Sequence, residues 1–208
     1  MENILEYKII ENKKIAKDVF KMILEGDTSQ ITNPGQFINI ELEGFYLRRP
    51  ISICDYDDRT ITVIYKVVGN GTDFMSNLKP SKVLNILTGL GNGFDINCDG
   101  DNPLLIGGGV GTPPMYNLCK KLLNAGKKPI VVLGFNTEED VFYEKEFKDL
   151  DKYFISYKNR FIMKLKNRYN KEMQKYKDID TKRYYGILKK KKNSNKKWSE
   201  PKMLDKKV

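Results

Sequence analysis

Leu104-Leu105-Ile106-Gly107-Gly108-Gly109-Val110-Gly111-Thr112-Pro113-Pro114 is the stretch on which the fold of this chain turns. Three apolar residues make a short buried strand, the glycines make a loop, and Pro113 suits the first turn of a helix. Met115, Leu118, Cys119, Leu122 and Leu123 then recur at helical spacing until Gly126 stops the helix, and 129–135 reads as a second buried strand. This order is a β-α-β unit. A glycine loop placed there lets a dinucleotide pyrophosphate approach the backbone at a helix N-terminus. Gly107, Gly108, Gly109, Val110, Gly111 and Thr112 are therefore candidate nucleotide-binding residues, the plainer alternative being a simple strand-to-helix connection. The loop is not G-x-G-x-x-G and has no acidic partner directly after the second strand. Thr137 caps a further short helix running to Phe147, and 153–156 starts a third strand.

Upstream the period changes to two. Short β-type runs at 6–10, 19–24, 36–42, 51–54, 60–68 and 83–87 are separated by turn residues, which predicts a small antiparallel barrel of six strands. Thr72 is the expected N-cap of a short helix over 73–78, ended by Lys79-Pro80. Leu47-Arg48-Arg49-Pro50-Ile51-Ser52-Ile53 sits at a strand entrance. A guanidinium fork there can hold a diphosphate bidentately, and a serine hydroxyl three residues later can donate to the same group. Arg-x-x-Ser alone is common, and a solvated arginine pair on a barrel rim is the alternative. Two glycine-rich segments add weight. Val67-Val68-Gly69-Asn70-Gly71-Thr72 ends a strand just before the short helix and offers backbone N–H groups to a phosphate. Gly89-Leu90-Gly91-Asn92-Gly93-Phe94 permits a flat backbone approach to a planar ring, or is a tight turn.

Composition narrows the chemistry. The 208 residues include no histidine, which removes Ser-His and Cys-His nucleophilic catalysis and histidine-based metal sites. Hydride and electron transfer remain, because there the cofactor carries the hard step. Cys54, Cys98 and Cys119 are far apart and read as buried, reduced thiols, not as a disulfide framework or metal site. No secretory leader or apolar run of about 18 residues is visible, so the expected location is the cytoplasm, with no membrane partner. The net charge of +10 is uneven. Residues 151–208 hold 20 Lys+Arg against 6 Asp+Glu, a balance of +14, whereas 1–150 hold 17 against 21, a balance of −4. Beyond Tyr157 Lys, Asn and Tyr dominate and few apolar positions remain to close a core, so a poorly ordered tail is expected, with a basic helix within the 160s as a local option.

Taken together, Arg-Arg-Pro-Ile-Ser-Ile (48–53), Gly-Asn-Gly-Thr (69–72) and Gly-Gly-Gly-Val-Gly-Thr-Pro-Pro (107–114) closely resemble, in this order and spacing, the electron transfer subunits of dihydroorotate dehydrogenase B, within the ferredoxin reductase superfamily. The resemblance covers residues 1–156. It implies a β + α/β, ferredoxin-reductase-like fold: an antiparallel FAD-binding β-barrel over 1–98, then a truncated Rossmann-like NAD-binding domain over 99–157. Residues 158–208 are left as a basic tail, disordered or out of frame. It also implies FAD against Arg49, Pro50, Ile51, Ser52, Ile64, Tyr65, Lys66, Gly71 and Thr72, and NAD as substrate at the 107–112 loop. The implied function, within pyrimidine biosynthesis, is electron passage between NAD and an FMN-containing dihydroorotate dehydrogenase catalytic subunit, in a heterotetramer. No proton-shuttling catalytic residue is needed. Where the superfamily usually has a tyrosine to stack on the flavin, this chain has Ile51, as is common in this branch.

Further on the chain departs from the family pattern. The Cys-Gly-Pro segment and the four close cysteines that usually hold a 2Fe-2S cluster are absent, and three scattered cysteines do not supply its four ligands. The switch near Tyr157 into Lys/Asn-rich sequence is what out-of-frame translation of an A-rich gene produces. A genuine basic tail that binds an acidic partner or nucleic acid is the alternative. An unfinished parallel sheet would leave the chain unstable or weak in binding FAD. Other readings are a sulfide dehydrogenase or transhydrogenase subunit of the same superfamily, and a non-enzymatic nucleic-acid-binding protein, disfavoured because the tail lacks a recognition motif. Glu138 and Glu139, where a 2′-phosphate would want an arginine, favour NAD over NADP.

Overall fold

The computed structural model describes residues 4–97 and 100–150 in full and the backbone of 154–157. The expected strand pattern of the first half is found: β1 (Ile4–Ala16), β2 (Val19–Glu25), β3 (Phe37–Ile40), β4 (Arg49–Tyr56), β5 (Thr60–Lys66) and, after helix α1 (Asn70–Asn77), β6 (Val83–Leu90). They close an antiparallel barrel in the order β1-β2-β5-β4-β3-β6. Alternation along each strand sends Ile9, Met22, Leu24, Ile38, Ile40, Ile53, Ile61, Val63 and Ile86 inward, where all are essentially inaccessible to water. Closure leaves no free edge in this half of the fold.

The second half is the β-α-β unit: β7 (Leu104–Gly108), α2 (Pro113–Asn124), β8 (Ile130–Gly134), then α3 (Glu144–Leu150) and β9 (Phe154–Tyr157). The strands are parallel, in the order β7-β8-β9. Helix α2 begins with Pro113 at its first position and is stopped at Gly126, whose φ is +76°. Its apolar face, Met115, Leu118, Cys119 and Leu122, packs on Leu105, Val131 and Leu133 of the sheet.

The same cluster reaches across to the barrel. Val19, Cys54 and Ile64 turn outward from β2, β4 and β5 and join α2 in one core. A polar tie lies beside it. Asp55 on β4 accepts 2.7 Å from Asn117 Nδ2 and 2.6 Å from Lys120 Nζ, both on α2. At the neighbouring positions Lys121 lies over the Tyr56 ring and Tyr143 packs edge-on to Tyr116. The two halves thus share packing, not only a linker.

Four expectations need correction. Ile106 is not buried: it is 62% exposed, because α2 covers only the face of β7 that carries Leu105 and Gly107. Thr72 is not the N-cap of α1. Gly69 is, and Thr72 stands at the third helical position with its Oγ1 accepting from the Val68 and Gly69 N–H groups. Thr137 caps only a single 3-10 turn, Glu138–Asp140, and the chain straightens before α3 because Tyr143 adopts φ +59°. Finally, the strand read over 36–42 is only four residues long, since Gln36 turns its amide to the 89–91 loop. Cys98, the tail over 158–208 and the basic helix expected in the 160s lie outside the described residues.

Replacing Asp55 by Ala strands the buried Asn117 amide and uncouples Lys120, so urea unfolding should show a loss of about 2 kcal/mol. An unchanged unfolding midpoint would refute the view that this carboxylate joins the halves.

Candidate functional site

The two neighbouring arginines have separate jobs. Arg48 donates to the Glu41 carboxylate at 2.6 Å, to Asn85 Oδ1 at 2.7 Å and to the Asn85 carbonyl at 3.2 Å, so its fork is spent on β6 and the β3–β4 connection. Arg49 is different. Its guanidinium lies over the Phe45 ring, 5.0 Å from the centroid, and also donates to the Leu47 carbonyl. The rest of its fork stands against Gly71, where a Cβ would fall inside the guanidinium. The first turn of α1 and the arginine at the start of β4 are thereby brought together. Only glycine at 71 permits the approach.

The helix that presents Gly71 is fixed at both ends. Thr72 Oγ1 ties its start to Val68 and Gly69. At its end Asn12 of β1 donates through Nδ2 to the Met75 carbonyl at 2.8 Å and the Leu78 carbonyl at 3.0 Å, and its Oδ1 accepts from the Tyr65 hydroxyl at 2.9 Å. Sequence reasoning passed over Asn12, which no local motif marks; only the barrel's closure carries it to the far end of α1.

Of the other residues singled out, Pro50 and Ser52 alternate with Ile51 and Ile53 along β4, on the outward side where Cys54 meets α2. Ser52 is half-buried opposite Phe37, and Ile51 packs on the barrel core. Ile64 and Tyr65 are buried by their neighbours: Ile64 belongs to the α2 core, and Tyr65 stacks on Phe20 inside the barrel. Lys66 reaches across to Asp140 at 3.3 Å. The Asp140 carboxyl is held below its ordinary range, chiefly by the Thr137 hydroxyl and then by Lys66. The 89–94 segment serves packing: Gly89 and Gly93 take positive φ and press on backbone carbonyls of Gln30 and Pro34.

In the second motif, β7 runs on through Gly107 and Gly108, and Gly109–Gly111 forms a 3-10 turn beside β5. A side chain at Gly107 would press on Thr112 Cα and Leu133, so the glycine lets the turn fold back over the sheet. Thr112 is fully buried at the N-cap of α2, with no partner for its hydroxyl among the described residues. Val110 and the glycines at 108, 109 and 111 face outward around a helix N-terminus of 12 residues, an arrangement suited to a phosphate. The glycine turn stands beside β5, and the Arg49–Gly71 clamp forms where the chain passes from β5 into α1.

No group of three or more His, Cys, Asp or Glu among the described residues could hold a metal ion. Cys54 and Cys119 are buried, and burial foremost pushes the Cys54 thiol well above its usual range. Among the described residues no helix is long and apolar enough to cross a membrane.

Comparisons with known proteins bear on both halves. Residues 105–194 match the model of the oxidoreductase NAD-binding domain. Among solved structures, an NADH-dependent reduced ferredoxin-NADP oxidoreductase superposes with TM-score 0.70 at 28% identity, over 81% of this chain and 63% of that one. Phthalate dioxygenase reductase superposes with TM-score 0.66 at 18% identity, over 75% and 51%. The chain therefore has the ferredoxin-reductase fold, a six-stranded antiparallel barrel joined to a Rossmann-like region that matches the oxidoreductase NAD-binding domain.

Its curated relatives are narrower in kind. It is 42% identical over 154 residues to the electron transfer subunit of dihydroorotate dehydrogenase B (NAD(+)) of Fusobacterium nucleatum, and 38% identical over 156 residues to that of Bacillus mycoides. The aligned parts are 70% and 71% of this chain and 60% of each relative, so the chain spans about three fifths of their length. By sequence it is a homologue of these electron transfer subunits.

The buried thiols carry a prediction. In a Cys98→Ser variant neither remaining cysteine should react with Ellman's reagent while folded, and both should react in guanidinium. Prompt native labelling would contradict the burial of Cys54 and Cys119.

Proposed function

We propose that this chain is a flavoprotein subunit that passes electrons between NAD and an FMN-containing dihydroorotate dehydrogenase catalytic subunit in pyrimidine biosynthesis. The observation that carries the reading is the convergence of Arg49 on Gly71. Two motifs on separate elements form one cationic clamp at a helix N-terminus, which suits the diphosphate of FAD. The residues present fit that group: a side chain at 71 would fill the clamp, and Arg49 has no carboxylate partner among the described residues.

In this proposal Arg49 and the N–H groups around Gly71 and Thr72 hold the diphosphate. Pro50 and Ser52 border the ring on the outer surface of β4 with the backbone of Ile51 between them, and the backbone at Ile64, Tyr65 and Lys66 lies alongside. Gly107, Gly108, Gly109, Val110, Gly111 and Thr112 take the NAD pyrophosphate. Bound FAD would supply the two-electron chemistry that links a nicotinamide to one-electron carriers. The chain's own part is to align the two nucleotides and exclude water. It needs no acid–base side chain, in keeping with the lack of histidine. The barrel would occupy 1–98 and the nucleotide-binding part 99–157, with 158–208 as a separate basic segment. The working assembly would be a cytoplasmic heterotetramer with the catalytic subunit. Glu138 and Glu139 beyond β8 support NAD over NADP.

A 2Fe-2S cluster does not fit these residues. The chain has three cysteines and no histidine, and Cys54 and Cys119 are enclosed in the core between barrel and α2. No step is routed through such a cluster.

Two measurements test the proposal. The purified chain should bind FAD with a flavin spectrum, and Arg49→Ala or Gly71→Ala should weaken binding by about ten- to a hundredfold, the loss of one charge-assisted contact. A folded chain that stays colourless in FAD rules the flavin reading out. Co-expressed with an FMN-containing catalytic subunit, the chain should make NAD reduction by dihydroorotate possible. Co-purification instead with a different oxidoreductase subunit would move it to another branch of the same fold.

A further inference from the structure

The nucleotide-binding half meets the barrel at a second polar point, away from Asp55. The 3-10 turn Glu138–Asp140, which follows β8, touches a rim formed by the β1–β2 connection and the end of β5. Lys17 donates through its backbone N–H to the Glu139 carbonyl at 3.0 Å and through Nζ to the Glu139 carboxylate at 3.1 Å. Lys66 Nζ reaches Asp140 Oδ1 at 3.3 Å, while Oδ2 of the same carboxylate is held within the turn by the Thr137 N–H at 3.2 Å and hydroxyl at 2.8 Å. The rim is one piece, because Lys66 pairs with Val19 in the ladder and the Val67 N–H donates to the Asp18 carbonyl at 2.7 Å. Adjacent acids of one turn thus meet two lysines of one rim.

These pairs do not act by strength. The side chains of Lys17 and Glu139 are 57% and 72% exposed, and exposed pairs contribute little to stability. Their place is what matters. Asp55 stands opposite Thr62 in the β4–β5 ladder, and Lys66 lies further along β5, about 13 Å away at the rise of a strand. Between the two ties lies the apolar contact that includes Val19 and Ile64. Hydrophobic burial prefers no angle, so a single polar tie leaves a pivot and a second removes it. Lys66 also ends the strand from which the chain runs into α1 and Gly71, so this tie bears on the support of the clamp.

We propose that Lys17 and Lys66 latch the Glu138–Asp140 turn to the barrel and so set the angle between the two nucleotide sites, with Lys17 and Glu139 as positioning residues. The inference rests on the reading above for what the sites hold, and goes beyond it in naming what aligns them. With the latch open, each nucleotide still binds at its own loop, but hydride transfer from one to the other slows. Because the pairs are exposed to solvent, rising ionic strength opens the latch.

Hydrogen exchange on the full chain without cofactor reads the latch through the Lys17 amide, whose acceptor lies across the seam. In Glu139→Gln/Asp140→Asn that amide should exchange roughly three- to tenfold faster, with the amides of the barrel ladders unchanged. About 1 M salt should do the same to the wild type. Glu139→Lys should also lose protection, and adding Lys17→Glu should restore it. An unchanged Lys17 amide in the Gln/Asn variant overturns the latch. In the FAD-loaded chain, the limiting rate of flavin reduction by NADH should fall about tenfold in that variant, with both nucleotide affinities within twofold of wild type. A faster Lys17 amide with an unaltered rate overturns the positioning role, as does a loss of NADH affinity in place of rate, which would make the acids nucleotide contacts. A wild-type chain that binds no flavin overturns the flavin reading and the alignment role with it, whereas the latch itself stands or falls on the exchange measurement.

Discussion

The Asp55 carboxylate, shared by Asn117 and Lys120, is the constraint from which the arrangement of the rest follows. A barrel strand and a helix of the nucleotide-binding half could meet through apolar contact at many angles, because hydrophobic burial has no direction. The apolar part of the contact, Cys54 and Ile64 against Met115, Leu118, Cys119 and Leu122, supplies most of the attraction. The polar part supplies the register. Asp55 has oxygens enough for both donors, and displacing α2 by one turn would leave a buried amide without an acceptor, a loss of about 1–3 kcal/mol. With α2 fixed on β4, its N-terminus and the glycine turn before it are fixed beside β5.

The clamp inherits this order. Arg49 begins β4, five and six residues before Cys54 and Asp55, so the strand that anchors α2 also presents the guanidinium. Helix α1 is tied at its start by Thr72 and at its end by Asn12, and Asn12 is itself engaged by Tyr65 from within the barrel. A helix of eight residues has little stability of its own. Its place is set by these side chains, and through it the place of Gly71.

Much of this was legible from the residues. Period-two runs gave six strands, and the change to helical spacing after Pro113 gave the β-α-β unit, because both patterns report which face of an element is buried. What escaped was decided by distant parts of the chain. The motif picks Arg49 over Arg48, but what separates their roles is not local: Glu41 and Asn85, brought together by β3–β6 pairing, engage Arg48 and leave Arg49. The 137–147 segment has an amphipathic pattern consistent with one helix, but Tyr143 is drawn out to pack on Tyr116 of α2, and the helix breaks there. Ile106 reads as core because its neighbours are apolar, yet its exposure depends on which face of β7 a helix covers.

The two proposed nucleotide sites also differ in what supports them. The strands around the Arg49–Gly71 clamp, β4 and the end of β5, belong to a closed barrel whose strands are paired on both sides, and α1 is tied to that barrel through Asn12. The glycine turn follows β7, which among the described residues is paired only with β8, and beside that turn Ile106 and Val110 are 62% and 51% exposed. A strand paired on one side opens at lower cost than one within a closed ladder. The Arg49–Gly71 clamp therefore sits on the more rigid support, and the glycine turn holds its position mainly through α2 and its tie to Asp55, which fixes the spacing between the two proposed sites.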